Sequence, residues 1–227
     1  MIKSKTAQRR NIIEKAFGYT FKNPELLQEA LTHSSFANEH RVRSNERLEF
    51  LGDSVLGFIM ADILFQDASL NEGALTRTRS SLVSEEPLAF LADELNISTC
   101  LKRGVGEQKN VVTKSMKADM VEAILGAIYM DSQSIQVVKS VIQNLFASVL
   151  KNTHFINAGK DAKTSLQEIF GNEDIRYVVK SIGTLQDPLY DCKLYIKNQL
   201  CGQATATTKK KAEKLSAEQA LQNIKKV

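Results

Sequence analysis

Apolar residues recur at three- and four-residue intervals from Ile12 to about Lys151, as in Leu48, Leu51, Val55 and Ile59 or in Val121, Leu125 and Ile128. That interval marks one face of a helix, so the front of the chain is expected to be nearly all α. Between Ser148 and Asp161 the pattern lapses into Lys-Asn-Thr-His-Phe-Ile-Asn-Ala-Gly-Lys, which has no face to bury and reads as a linker. Beyond it the period changes. Asp161 can cap a short helix carrying Leu166, Ile169 and Phe170 on one side, and Tyr177-Val178-Val179 and Tyr190–Ile196 read as strands. A third strand is expected near Gly202 to Thr207 and a helix from about Thr208 to Ile224. Helix, three strands, helix is an α+β arrangement in which both helices cover one face of a small antiparallel sheet. The expected organisation is an α-helical domain over 8–150, a linker over 151–160 and the α+β domain over 161–227, with no internal repeat or low-complexity tract.

The 227 residues suffice for two domains that each bury a core. No apolar run approaches the ~18 residues of a membrane span. The basic, polar Met1 to Arg10 precedes no apolar stretch of the secretory type. A cytoplasmic protein without a membrane partner is expected. Cys100, Cys192 and Cys201 are odd in number and form no Cys-x-x-Cys pair, so they read as reduced structural thiols. The net charge of +4 is small but uneven: residues 161–227 hold 11 Lys/Arg and 8 Asp/Glu, whereas residues 1–160 hold 19 and 18. A nearly neutral front joined to a basic tail fits a nucleic-acid-binding appendage.

The densest chemistry lies in Asn45-Glu46-Arg47-Leu48-Glu49-Phe50-Leu51-Gly52-Asp53-Ser54. At 100° per residue Glu46, Glu49 and Asp53 fall within about 60° of one another, clear of the apolar stripe. Like charges at this spacing cost a helix a few tenths of a kcal/mol per pair, so something cationic is expected to compensate. Asp119 and Glu122 form a second pair at i, i+3 on an otherwise apolar helix. If the two helices pack, up to five carboxylates converge, a hard oxygen set suited to Mg²⁺ or Mn²⁺ and to phosphodiester hydrolysis. One acidic pair alone is more often a solvated helix face, so the spacing leaves both readings open. His33 and His40 stand at no metal-binding spacing with another His or Cys.

Glu46 to Ser54 resembles the signature segment of ribonuclease III. Other blocks agree in order: Ala30-Leu31-Thr32-His33-Ser34-Ser35, then Glu72-Gly73 through Thr76 to Val83, then Asp119-Met120-Val121-Glu122-Ala123. The resemblance covers nearly the whole chain and implies an all-α ribonuclease III endonuclease domain followed by an α-β-β-β-α double-stranded RNA-binding domain. It implies that Glu49, Asp119 and Glu122 hold Mg²⁺, with Mn²⁺ able to substitute and no small-molecule cofactor. Asp53 would work with Glu122 in catalysis, and Glu46 and Glu72 would be accessory acids. The chain departs from the family's usual pattern between Val105 and Lys117, where the loop is short and Lys117 stands in place of an apolar residue.

Thr207 to Glu213 places Lys209, Lys210 and Lys211 at a helix start, where backbone N–H groups and the dipole already favour phosphate. A lysine triplet alone fits a solvated helix start equally well. The segment resembles a double-stranded RNA-binding domain, in which Thr164, Gln167 and Glu168 would meet a minor groove and the three lysines would bridge the major-groove phosphates. Gln186 stands where such domains usually carry His, and it keeps the capacity to donate and accept. The stretch from Phe170 to Tyr177 is also short for the family.

The reading is an endoribonuclease that hydrolyses both strands of double-stranded RNA to 5′-phosphate and 3′-hydroxyl ends, processing rRNA precursors and structured mRNA or tRNA transcripts. Phe50 lies near 200° from Leu48 on its helix, away from the core stripe, and the resemblance implies a homodimer in which this aromatic enters a socket on the partner. Two rivals are a non-cleaving double-stranded RNA-binding protein of the same fold and a hydrolase of small phosphate esters. Clustered anions beside an anionic ligand argue against the first, and the basic tail argues against the second.

Overall fold

Good caps mark where the front of the chain enters its helices. The side chains of Asn23, Asn71, Thr113 and Ser134 each accept a backbone N–H in the first turn that follows. A computed structural model describes residues 2–68, 70–151, 162–171, 174–184 and 187–224, leaving aside the side chains of residues 2–4, 151, 164 and 168. Most of the expected linker, the capping Asp161 and Gln186 lie outside the described residues, as do the side chains of Thr164 and Glu168. Contacts divide the chain into two units, Met1–Gly159 and Lys160–Val227.

The first unit is helical: α1 (Ile2–Phe17), α2 (Pro24–Ala30), α3 (Ser34–His40), α4 (Glu46–Phe65), α5 (Glu72–Leu82), α6 (Glu85–Glu94), α7 (Lys114–Ser132), α8 (Ile135–Leu145) and α9 (Ala147–Lys151). Its first helix begins ten residues ahead of Ile12, as polar turns running out from the buried anchors Ile13 and Phe17. The middle of the unit is α7, buried on almost every side through Met120, Val121, Ala123, Ile124, Leu125, Ala127 and Ile128. Helices α2, α4, α6 and α8 pack around it. Asp131, near the end of α7, ties the outer shell to this axis by accepting from the Tyr19 hydroxyl at 2.7 Å and from the Lys22 and Asn23 N–H groups at 2.8 Å.

The closest crossing is between α4 and α7. A Cβ built on Gly52 would stand 1.8 Å from the Glu122 carbonyl oxygen, and one on Gly126 would stand 2.2 Å from that of Leu48. The two helices therefore touch backbone to backbone. This contact turns α4 about its axis relative to the expected stripe: Leu48, Val55 and Ile59 are buried, but Gly52, Leu56 and Met60 join them while Leu51 is only half-buried. The inward face consequently runs toward the side that carries the acids.

The second unit is helix α10 (Ala162–Phe170), strands β1 (Ile175–Ser181), β2 (Tyr190–Ile196) and β3 (Gln199–Ala206), and helix α11 (Lys209–Ile224). The strands form an antiparallel sheet in the order β1-β2-β3. Lys197 and Asn198 make the tight turn between β2 and β3, both at positive φ. Leu166 of α10 and Ala217 and Ala220 of α11 pack against Leu194 and Ile196, so both helices cover one sheet face. Lys163 joins the two helices through an ion pair with Glu213. Among the described residues no helix is long and apolar enough to cross a membrane.

Candidate active site

The approach of α4 to α7 decides where the carboxylates end up. Glu49 lies one turn before Gly52, and Glu122 contributes the carbonyl that Gly52 faces, so the glycine contact draws their side chains together. One ligand oxygen from each of Glu49, Asp119 and Glu122 lies within 4.8 Å of the other two, and all three residues are half-buried. Asp53 and Glu46 are exposed at the margin; Glu46 accepts from the Ser44 hydroxyl at 2.6 Å. Glu72 is not within the spacing that unites the other three. It sits exposed in the first turn of α5, where its carboxylate accepts from the Thr76 hydroxyl.

The electrostatics are those of crowded, half-buried anions. Burial pushes the Glu122 carboxyl up to about 8, and Asp53, Glu49 and Asp119 push in the same direction. Glu49 is raised by burial and then by Asp119, Glu46 and Asp53. Asp119 is raised by burial and by Glu85, against the pull of a hydrogen bond from Ser115 and of the nearby His33. Three hard oxygen donors in this condition fit a divalent ion such as Mg²⁺ or Mn²⁺, which would relieve burial and repulsion together.

Lys117 is accommodated without disturbing the acids. Its side chain is only 17% exposed, and its ammonium pairs with Asp93 of α6 at 2.7 Å. The loop before it is held by the Arg103 guanidinium, which donates to the carbonyls of Glu107 and Asn110. Sequence reasoning missed Gly52, Gly126, Ser115 and Glu85. For the two glycines a signal was present: glycine in a helix interior costs about 1 kcal/mol relative to alanine, and both stand close to the acids. Ser115 stands four residues ahead of Asp119 on α7, so helical spacing already placed it beside that carboxylate, whereas Glu85 carries no local signal because it meets Asp119 only through the fold.

In the second unit Lys209, Lys210 and Lys211 are all exposed in the first turn of α11, with Thr208 accepting from the Lys211 N–H. Gln167 is exposed on α10.

Residues 23–150 match the Ribonuclease-III-like family and residues 162–224 match the double-stranded RNA binding motif. Among solved structures, one of the nuclease domain of ribonuclease III from Campylobacter jejuni, described for flexibility in the region involved in its dimer formation, is 36% identical with a TM-score of 0.57. The match covers 60% of this chain and 95% of that one. A second structure of that nuclease domain is 33% identical with a TM-score of 0.56, covering 61% of this chain and 94% of the other. With both family matches in sequence order on the two folded units, the chain belongs to the ribonuclease III family in its bacterial arrangement, a helical nuclease domain followed by a double-stranded RNA-binding domain.

Proposed function

We propose that this protein is a divalent-metal endoribonuclease that hydrolyses both strands of double-stranded RNA, leaving 5′-phosphate and 3′-hydroxyl ends. The observation that carries the reading is the convergence of Glu49, Asp119 and Glu122 in a family whose fold is that of a nuclease. These three would hold Mg²⁺, or Mn²⁺ in its place, and the bound ion would supply water activation and neutralisation of charge on the phosphodiester. Glu122, already the most reluctant to ionise, would share proton handling with exposed Asp53. Glu46 would act at the margin of the cluster, and Glu72 at a distance from it.

Duplex recognition would fall to the second domain, where the lysines at the start of α11 supply phosphate contacts and Thr164, Gln167, Glu168 and Gln186 the minor-groove ones. A homodimer fits the substrate, because two-fold-related sites address antiparallel strands. Its support is Phe50, 77% exposed, and a depression lined by apolar Gly57, Phe58, Ala61 and Val83 together with polar Asp53, Ser54, Arg79 and Ser80. Precursors of ribosomal RNA and structured messenger or transfer transcripts are the proposed cytoplasmic substrates.

The deciding experiment incubates the purified chain with a labelled RNA duplex, with and without Mg²⁺. Metal-dependent cutting of both strands is expected. Glu122→Gln should lose at least about 10²–10³-fold in cleavage while its gel shift on the duplex stays the same or strengthens. A fully active variant would remove the metal-centre reading, and metal-dependent binding without any cutting would favour the non-cleaving alternative.

A further inference from the structure

Glu213 lies one helical turn beyond the lysines that open α11. On a helix the neighbours of a side chain are those three and four residues away. Behind Glu213 these are Lys209 and Lys210, and ahead of it Ser216 and Ala217. The cations it faces on its own helix are therefore two of those that duplex RNA would need. A carboxylate in this place is a hazard to phosphate binding, since it can take an ammonium from the RNA and, left unpaired, repels the phosphates. Glu213 instead turns to another helix. Its carboxylate pairs with the Lys163 ammonium of α10 at 2.5 Å, with only 28% of the lysine side chain and 20% of the glutamate exposed. Lys163 is held from a second side, its ammonium 4.9 Å from the centre of the Tyr177 ring on β1. Lys209 and Lys210 stay exposed and make no ion pair among the described residues.

We infer that Lys163 is a positioning residue for duplex RNA: by holding the Glu213 carboxylate against α10, it leaves Lys209 and Lys210 free for the phosphates. The inference rests on the duplex-binding reading of the second domain and adds to it a residue that acts through Glu213. The half-buried bridge wins over an exposed pair on α11 because water and salt screen it less, and the Tyr177 ring strengthens its hold on the ammonium. The competing pairs also run in the weaker order, with lysine ahead of glutamate along the helix. A neutral residue at 213 would need no such restraint. Loss of Lys163 alone should therefore harm binding, whereas loss of Lys163 and of the charge on Glu213 together should not.

The full-length variants are to be compared in duplex RNA affinity across a salt series, in a chelator so that nothing is cut, and in melting. Lys163→Met keeps an unbranched stem beside Tyr177 and drops the charge. It should bind duplex roughly three- to fivefold more weakly than the wild type at low salt, the gap closing as salt rises. Replacing Lys209 and Lys210 together by Ala should cost the wild type more affinity than it costs Lys163→Met, because in the latter Glu213 has already engaged them. Lys163→Met/Glu213→Gln should regain wild-type affinity, and with it the full cost of losing the two lysines. Lys163→Met/Glu218→Gln has the same net charge and should regain nothing. A Lys163→Met that binds like the wild type, an equal cost of the two lysines in both backgrounds, equal rescue by Glu218→Gln, or affinities that merely follow the melting temperatures would each overturn the inference. If Lys163→Met folds poorly, the double variant decides: failure of Glu213→Gln to restore binding overturns it as well. A wild type indifferent to the loss of Lys209 and Lys210 brings down the duplex reading of α11 and this inference together, whereas a wild type that needs both lysines and ignores the loss of Lys163 brings down the inference alone.

Discussion

Glu122 makes the metal-free protein sensitive to pH in a definite direction. Its folded carboxyl, raised to about 8 by burial and then by Asp53, Glu49 and Asp119, binds a proton more tightly than the unfolded chain does. Stability from this source is complete below the ordinary carboxylate range and is lost as pH rises through about 8. Glu49 and Asp119, both raised, add in the same sense. In a chelator the melting temperature should therefore fall from about pH 5 to about pH 8.5. Added Mg²⁺ should restore it most at the alkaline end, and Glu122→Gln should flatten the slope; a metal-free melting curve indifferent to pH would contradict this account of the cluster. At this scale the acids were legible because residue type and helical spacing are both written locally. The partner of Lys117 was not, since Asp93 lies 24 residues away and belongs to another helix.

Between elements, the contact that matters is the crossing of α4 and α7. Adding a methyl group at Gly52 or Gly126 puts a carbon within 1.8 or 2.2 Å of a facing carbonyl, so the helices must part. Gly52→Ala and Gly126→Ala are each expected to destabilise the domain by about 1–3 kcal/mol, as overpacking does. Misplacement by about 1 Å should cost up to about 10²-fold in duplex cleavage. Melting and single-turnover rates, measured on the same preparations, check both; unchanged values would mean that the crossing yields at no cost. The elements themselves were largely readable: the strand over Tyr190–Ile196 and the helix ending at Ile224 follow from periodicity alone. The rotation of α4 was not, because a backbone contact leaves no pattern of side chains to read. The start of α1 escaped for a related reason: its outer turns bury too little to create a stripe.

For the whole molecule the basic tail and the exposed aromatics predict behaviour in solution. Replacing Lys209, Lys210 and Lys211 together by Ala should weaken duplex binding evenly across sequences. It should also reduce the slope of log affinity against log salt by roughly two to three units, one per phosphate contact. An unchanged slope would place RNA on another face of the domain. Phe50 is accompanied on α4 by Phe58 and Phe65, which are 60% and 73% exposed. Burial of one Phe contributes roughly 1.5–3 kcal/mol and a two-fold interface uses it twice, so Phe50→Ala should weaken a dimer by at least about 10²-fold. Sedimentation across concentrations reads this, and a monomeric wild type would end the proposal. The division into helical and α+β parts was visible from the switch in period, whereas the proposed partner surface was marked only by an aromatic facing away from the core.

The glycine contact also bears on how such a sequence can change over time. With α4 and α7 spaced by backbone, the separation of Glu49 from Asp119 and Glu122 depends on no side-chain volume at the crossing. Leucines, isoleucines and methionines elsewhere in the core can be exchanged for one another at modest cost without carrying the ligands with them. Drift in the hydrophobic interior is thus uncoupled from the chemistry at its edge, and Gly52 and Gly126 are where one added methyl would disturb both at once.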